Sequence, residues 1–95
     1  LKPKTICDGL LTSLGEMTWP ILRDHLNAIY TVSDQEVCNA MKLIWERMKI
    51  IVEPSSATAL AVVMGEKFKL NCPESVKSIG IILTGGNVDL NKLPF

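Results

Sequence analysis

The segment best suited to chemistry lies near the end of the chain and reads Ile81-Ile82-Leu83-Thr84-Gly85-Gly86-Asn87. Its apolar residues are typical of a buried strand, and Thr84 is the first polar group after them. Ligands of open α/β sheets bind outside the carboxyl ends of the strands, so the Thr84 hydroxyl is a candidate ligand contact. Gly85 and Gly86 would let a flat ligand approach the backbone closely. The alternative, a strand that ends in an ordinary Gly-Gly turn, is the more common meaning of this pattern.

A second candidate is Glu53, which precedes Pro54 and Ser55 at the expected start of a helix. A carboxylate at this place is stabilised by the helix dipole and the free N–H groups, so Glu53 is either a ligand contact or a capping group. The range 5–9 is a third polar segment, and taken alone it is only a turn. A free-standing active site built from Glu53, Asp8 and His25 is disfavoured, because their spacing gives no reason for them to converge.

Local patterns predict the helices that would position these residues. Thr18 is a candidate N-cap for a short helix that ends near Leu26. Ser33 and Glu36 form a capping box for the best-defined helix, which should end near Lys49. Its apolar residues recur at helical spacing at Val37, Met41, Ile44 and Met48.

A second long helix should begin at Ser55 or Ser56, because Glu53-Pro54 prevents a helix from running straight on. It should end at Gly65 or run on to Phe68. The ranges 28–32 and 79–83 are predicted strands, and the second is expected to be buried on both faces, as in the middle of a parallel sheet. The predicted fold class is therefore α/β. Two strands are too few for a self-sufficient parallel sheet, so we expect an incomplete domain.

Composition excludes several classes of protein. A chain of 95 residues forms at most one small domain, and 47% hydrophobic residues favour an ordered one. Ten basic and ten acidic side chains balance without forming blocks, so neither a nucleic-acid partner nor a membrane surface is expected. The apolar run 59–64 is too short to span a bilayer, and no signal-peptide pattern opens the sequence. Three separated cysteines and one histidine do not suggest a metal site. We expect reduced thiols and a cytoplasmic location.

Five segments, taken in order and spacing, resemble the last third of eukaryotic serine racemases, in the serine racemase and serine/threonine dehydratase family of fold-type II pyridoxal-phosphate enzymes. The resemblance covers nearly all of the chain. The segments are Lys4-Thr5-Ile6-Cys7-Asp8-Gly9, Thr18-Trp19-Pro20-Ile21, Trp45-Glu46-Arg47-Met48-Lys49, Val52-Glu53-Pro54-Ser55 and Leu83-Thr84-Gly85-Gly86-Asn87-Val88-Asp89-Leu90.

The resemblance implies that residues 1–95 are the C-terminal part of the large cofactor-binding domain, a three-layer α/β sandwich. It implies an enzyme that interconverts L- and D-serine and eliminates water from serine to give pyruvate and ammonia. Thr84 would donate a hydrogen bond to the pyridine nitrogen of pyridoxal phosphate. Gly9 and Gly85 would lie where the backbone runs beside the cofactor ring, and Glu53 would lie near the substrate side of the cofactor. A neutral hydroxyl does not hold that nitrogen protonated, so the ring is a weaker electron sink.

The resemblance also implies a nucleotide contact. Lys49 and Asn87 match positions that bind activating ATP at the subunit interface of animal racemases. The alternatives are a solvated lysine at a helix end and a turn asparagine. A divalent metal such as magnesium is a further possible activator, with its site mostly upstream of these residues. No residue of this chain is expected to be catalytic or to bind a metal.

Departures from the family pattern limit what the chain is expected to do alone. Cys7 stands where a small Ala is usual, Ser56-Ala57 where a small or Gly-containing pair is usual, and Thr84 where Ser is usual. The lysine that forms a Schiff base with the cofactor, and the Gly-rich phosphate cup, belong upstream in the family. We therefore expect an inactive segment that requires the rest of the enzyme chain or a homodimer partner. The alternative is a non-enzymatic structural or protein-binding module derived from that family, which adds its unpaired strand to a partner's sheet.

Overall fold

The computed structural model describes residues 3–95, and the helices in this range follow one another with short connections. A short 3-10 helix, Asp8–Leu10, comes first. The α-helices are α1 (Trp19–His25), α2 (Asp34–Met48), α3 (Pro54–Met64) and α4 (Glu66–Asn71).

Helix α2 begins as its sequence predicts. The Glu36 backbone N–H donates to Ser33 Oγ at 3.1 Å, and the Ser33 backbone N–H donates to Glu36 Oε1 at 2.9 Å. This capping box satisfies two N–H groups that the helix itself leaves free. The bonds from the Ser33 backbone and hydroxyl lower the pKa of the Glu36 carboxyl, because they stabilise its charged form.

The core lies between α2 and α3. Large side chains of α2 pack against small residues of α3, so the two helices can approach closely. Burying side chains as large as Met41 or Ile44 stabilises the fold by about 1.5–3 kcal/mol each. The buried apolar residues of this core are Cys7, Val37, Ala40, Met41, Ile44, Val52, Ala57 and Ala61.

Helix α3 begins one or two residues earlier than the sequence predicts, and it ends earlier than the longer of the two predictions. Its first residue is Pro54, which has no N–H to satisfy and whose ring presets a helical φ. Gly65 follows the last helical residue with an extended backbone, φ −81° and ψ 154°. The chain therefore turns at Gly65 and starts the separate helix α4, so α3 does not continue to Phe68.

Neither predicted strand is a strand in residues 3–95. A strand requires a neighbour that accepts and donates backbone hydrogen bonds, and no such ladder involves the ranges 28–32 or 79–83 within the described residues. Partly buried residues nevertheless alternate with exposed ones along the range 80–86, which is the pattern of an extended segment. Leu83 packs against the helical core, whereas Ile82 is 80% exposed. Burial on both faces is therefore wrong here, since only one face has a neighbour.

The last residues of the chain fold back onto the helical pair. Phe95 meets Trp45 edge to face with ring centroids 5.4 Å apart, and Leu93 packs against the core. The Trp45 indole N–H donates to the Val52 carbonyl at 2.9 Å, which ties α2 to the connection before α3. Within residues 3–95, no helix combines the length and apolar character needed to cross a bilayer.

All three cysteines are free thiols. Burial raises the pKa of Cys7, and it also raises the pKa of Cys38 on α2. Both thiols are thereby held in their protonated, less reactive form.

Candidate functional site

Glu53 holds the backbone of the range 85–87, where the extended segment ends. Its backbone N–H donates to the Gly85 carbonyl at 3.0 Å, and its Oε2 accepts the Asn87 backbone N–H at 3.0 Å. The side chain makes no capping bond to α3, although Glu53 occupies the N-cap position. The sequence leaves Glu53 as either a helix cap or a ligand contact. The structure gives its side chain a third role, which is to hold the backbone of the range 85–87.

Close packing explains why both residues of the Gly-Gly pair are small. A Cβ atom on Gly85 would lie 3.1 Å from Glu53 Oε2, and one on Gly86 would lie 2.6 Å from the Ile51 carbonyl oxygen. None of the described glycines has a positive φ, so space and not backbone conformation requires glycine here. The space beside Gly86 is filled by the protein itself.

Gly9 reaches the same place from the start of the chain. Its backbone N–H donates to Ser55 Oγ at 3.2 Å. A Cβ atom on Gly9 would lie 3.0 Å from that oxygen and 3.5 Å from Glu53 Oε1. The structure thus brings together four of the residues singled out from the sequence: Gly9, Glu53, Gly85 and Asn87.

Thr84 presents an exposed side chain beside this cluster. Its backbone N–H donates to Ser56 Oγ at 2.8 Å, whereas its hydroxyl has no hydrogen-bond partner within residues 3–95. The residue lines a shallow cleft of about 170 Å³ with Gly85, Gly86, Leu83 and the range 50–52. Thr84 therefore borders an open cleft.

The two residues predicted to contact a nucleotide are not joined to each other. Lys49 is exposed at the end of α2 with φ 59°, the one non-glycine residue with a positive φ in the described range. No hydrogen bond between Lys49 and Asn87 occurs in residues 3–95. Asn87 lines a second cleft of about 140 Å³, together with Asp8, Asp89 and Lys92.

The residues of the disfavoured free-standing active site do not assemble. His25 is at the end of α1 and makes no hydrogen bond or ion pair with Glu53 or Asp8 in the part of the chain that the structure describes. In the same residues, no group of three or more His, Cys, Asp and Glu side chains is close enough to hold a metal ion.

Sequence reasoning missed the role of the two serines at the start of α3. Ser55 and Ser56 are expected to cap the helix, but their hydroxyls accept N–H groups from Gly9 and Thr84. The only local signal is that Pro54 already occupies the first helical position, which leaves both serines inside the helix.

Comparisons with known proteins agree with one another. A sequence profile described as "Pyridoxal-phosphate dependent enzyme" matches residues 1–85. A serine racemase from Dictyostelium discoideum is 50% identical over 92 residues, which are 97% of this chain and 28% of that protein. A beta-hydroxyaspartate dehydratase from Paracoccus denitrificans is 50% identical over 95 residues, covering 98% of this chain and 28% of that protein.

The structural comparison covers the same portion. The structure of maize serine racemase superimposes with a TM-score of 0.91 at 42% identity, over 95% of this chain and 28% of that one. The chain therefore spans about 28% of the length of these relatives.

Proposed function

Because the chain belongs to the pyridoxal-phosphate dependent enzyme family, we propose that it forms the C-terminal segment of the cofactor-binding domain of a serine racemase or a related β-hydroxy amino-acid dehydratase. Its fold is part of the fold-type II architecture of these enzymes. The activity of the whole enzyme would be interconversion of L- and D-serine together with elimination of water. The names of the relatives support this range of substrates, since one is a serine racemase and another is a beta-hydroxyaspartate dehydratase.

One observation carries the proposal: the Thr84 hydroxyl is exposed and unpartnered in the described residues, while its backbone is held firmly. A pyridine nitrogen needs one hydrogen-bonding group at its edge, and a flat ring needs a neighbour without a side chain. Thr84 supplies the hydrogen-bonding group, and the cleft that it borders together with Gly85 and Gly86 offers the ring a surface of backbone atoms. The residues present therefore fit one edge of pyridoxal phosphate.

When bound, pyridoxal phosphate supplies a ring that withdraws electrons from the substrate α-carbon. Thr84 would hold the ring nitrogen with a neutral hydroxyl, which does not keep that nitrogen protonated. Glu53 would keep the range 85–87 in place, and Gly9 would close the site from the other side. These residues bind and orient the cofactor, whereas the proton transfers belong to groups in the rest of the enzyme.

A hybrid enzyme tests the proposal. Residues 1–95 replace the matching segment of the Dictyostelium discoideum serine racemase, and the purified protein is assayed for cofactor absorption, D-serine and pyruvate. We expect a folded hybrid that binds pyridoxal phosphate and forms both products. Thr84→Ser keeps the hydroxyl and should retain activity, whereas Thr84→Val keeps the shape and should lose at least about tenfold in kcat/KM.

A folded hybrid with no bound cofactor would contradict the proposal and favour the alternative, a non-enzymatic structural or protein-binding module. The 95-residue chain by itself should give no saturable visible band with pyridoxal phosphate. The lysine that forms the Schiff base and the cup that holds the cofactor phosphate belong upstream in the family.

We propose in addition that Lys49 and Asn87 contact an activating nucleotide, and that the enzyme acts in the cytoplasm. A residue held at positive φ without being glycine is costly, and such strain is often found at functional positions. Lys49→Gly should therefore raise the stability of the hybrid while lowering its activation by ATP, and Lys49→Arg should keep the activation. The three free cysteines support a reducing compartment.

A further inference from the structure

Two adjacent serines lie in the first turn of α3 without capping it. Ser55 is 9% exposed and Ser56 is 2% exposed. Both follow Pro54 inside the helix, so their hydroxyls are turned toward other segments. Each accepts a backbone N–H from a different loop, Ser55 from Gly9 at 3.2 Å and Ser56 from Thr84 at 2.8 Å.

The start of α3 and the residue before it hold the backbone on both sides of Thr84. Its own N–H is bound to Ser56, and the carbonyl of the next residue, Gly85, accepts the Glu53 N–H at 3.0 Å. With these two points fixed, the direction of the Thr84 Cα–Cβ bond is fixed as well. Only rotation about χ1 remains for the hydroxyl, and the branched Cβ of threonine restricts that rotation.

The direction of this hydroxyl matters for the chemistry. A hydrogen bond to a ring nitrogen is strong only when the donor lies near the plane of the ring, and it weakens steeply as the angle departs from linear. The strength of that bond changes how far the ring withdraws electrons from the substrate.

We infer that Ser56 is a positioning residue that aims the Thr84 hydroxyl and thereby sets the ratio of racemisation to elimination. The inference rests on the proposed function. Ser56-Ala57 stands where the resemblance leads one to expect a small or Gly-containing pair, and Thr84 stands where it leads one to expect Ser. One hydrogen bond joins these two positions, and it needs the Ser56 hydroxyl but only the backbone N–H of residue 84.

The hybrid enzyme provides the first test. Ser56→Ala should change the ratio of D-serine to pyruvate by at least about threefold while the bound cofactor is retained. The ratio of two products does not depend on the amount of folded enzyme, so a simple loss of folded protein would not change it. Ser78→Ala is the matched control, because Ser78 is an exposed serine outside α3 and outside the range 84–87.

A double-mutant cycle shows whether Ser56 acts through Thr84. In the Thr84→Val background, Ser56→Ala should cause no further change in the ratio. An equal change in both backgrounds would overturn the inference. If Thr84→Val alters cofactor absorption and Ser56→Ala never alters the ratio, only the inference fails. If Thr84→Val alters neither the cofactor absorption nor the product ratio, the assignment of Thr84 in the proposed function fails together with the inference.

A second measurement uses the 95-residue chain itself. Ser56→Ala should speed the exchange of the Thr84 amide hydrogen for deuterium by about tenfold, because that N–H loses its acceptor. Ser55→Ala is the matched control, since it should speed exchange at Gly9 and leave Thr84 unchanged. Equal exchange at Thr84 in the parent chain and in Ser56→Ala would overturn the inference without bearing on cofactor binding.

Discussion

At the scale of single residues, three glycines of one segment differ in what surrounds them. A Cβ atom on Gly86 would meet the Ile51 carbonyl oxygen at 2.6 Å, and one on Gly85 would meet Glu53 Oε2 at 3.1 Å. A Cβ atom on Gly80 would meet nothing within 4 Å. A backbone oxygen cannot move without moving the chain, whereas a carboxylate can rotate.

Alanine substitutions at these glycines should follow the same order. Gly86→Ala should lower the free energy of unfolding by about 1–3 kcal/mol, because the backbone has to shift. Gly85→Ala should cost less, and Gly80→Ala should be neutral or should stabilise by a few tenths of a kcal/mol through its effect on the unfolded chain. Urea unfolding of the three variants measures the order. A Gly80→Ala variant as unstable as Gly86→Ala would contradict the contacts described above.

The charge at position 84 provides a second prediction at this scale. In the hybrid enzyme, Thr84→Asp should place a carboxylate beside the ring nitrogen and hold that nitrogen protonated. The ring then withdraws electrons more strongly, so the ratio of D-serine to pyruvate should change, and Thr84→Asn should leave it nearer to the parent value. An Asp variant and an Asn variant with the same ratio would argue against Thr84 as the partner of the nitrogen.

At the scale of elements, α2 was predictable because its signals are local. The capping box Ser33–Glu36 and the apolar residues at helical spacing lie within the helix or directly before it. The predicted strands depend on neighbours that are distant in the sequence, and residues 3–95 provide no ladder for either of them. Ile82 illustrates the limit, since its sequence context favours burial and its side chain is 80% exposed.

Local patterns singled out Thr84 and Glu53, but only the family resemblance placed them in one site with Gly9 and Asn87. Glu53 and Asn87 are 34 positions apart, and Gly9 and Ser55 are 46 positions apart. No periodicity connects residues at such distances, so composition and spacing could not show that they lie together. The two serine acceptors could not be predicted, because their partners are backbone N–H groups of other segments, which the sequence does not distinguish.

The capping box of α2 should make the free energy of unfolding depend on pH. The pKa of Glu36 is lower in the folded chain than in the unfolded one, so its contribution is complete above its ordinary pKa of about 4.5 and is lost as the pH falls through the lowered value. Glu36→Gln keeps an oxygen that accepts the Ser33 N–H but does not titrate. The stability difference between the parent chain and Glu36→Gln should therefore shrink as the pH falls from 7 to 3 in a series of urea titrations. A difference that stays constant would show that the carboxylate charge does not contribute.

At the scale of the whole molecule, the extended range 80–86 has one packed face and one open face. An unpaired segment with exposed apolar side chains is a template for pairing with another chain. In the proposed enzyme the rest of the domain would cover this face. In the 95-residue chain it is accessible to a second copy.

Ile82→Lys should therefore reduce self-association of the 95-residue chain, measured by sedimentation velocity over a range of concentrations. The matched control is Leu70→Lys on α4, because Leu70 is 81% exposed and Ile82 is 80% exposed. If pairing along the extended segment drives association, Ile82→Lys should raise the dissociation constant by at least about tenfold more than Leu70→Lys. Equal effects of the two substitutions would indicate nonspecific hydrophobic association instead.

The hydrogen bond from Asn87 to Glu53 also fixes an order of events during protein synthesis. Glu53 leaves the ribosome 34 residues before its partner does. At roughly 5–20 residues per second, that interval lasts roughly 2–7 s. Helices α2 and α3 can pair during this time, before the Ser56 hydroxyl and the Glu53 carboxylate can accept the backbone N–H groups of Thr84 and Asn87. The contacts that Glu53 makes with the range 85–87 can therefore form only after residue 87 has been synthesised, and a chaperone that shields the start of α3 would act within those few seconds.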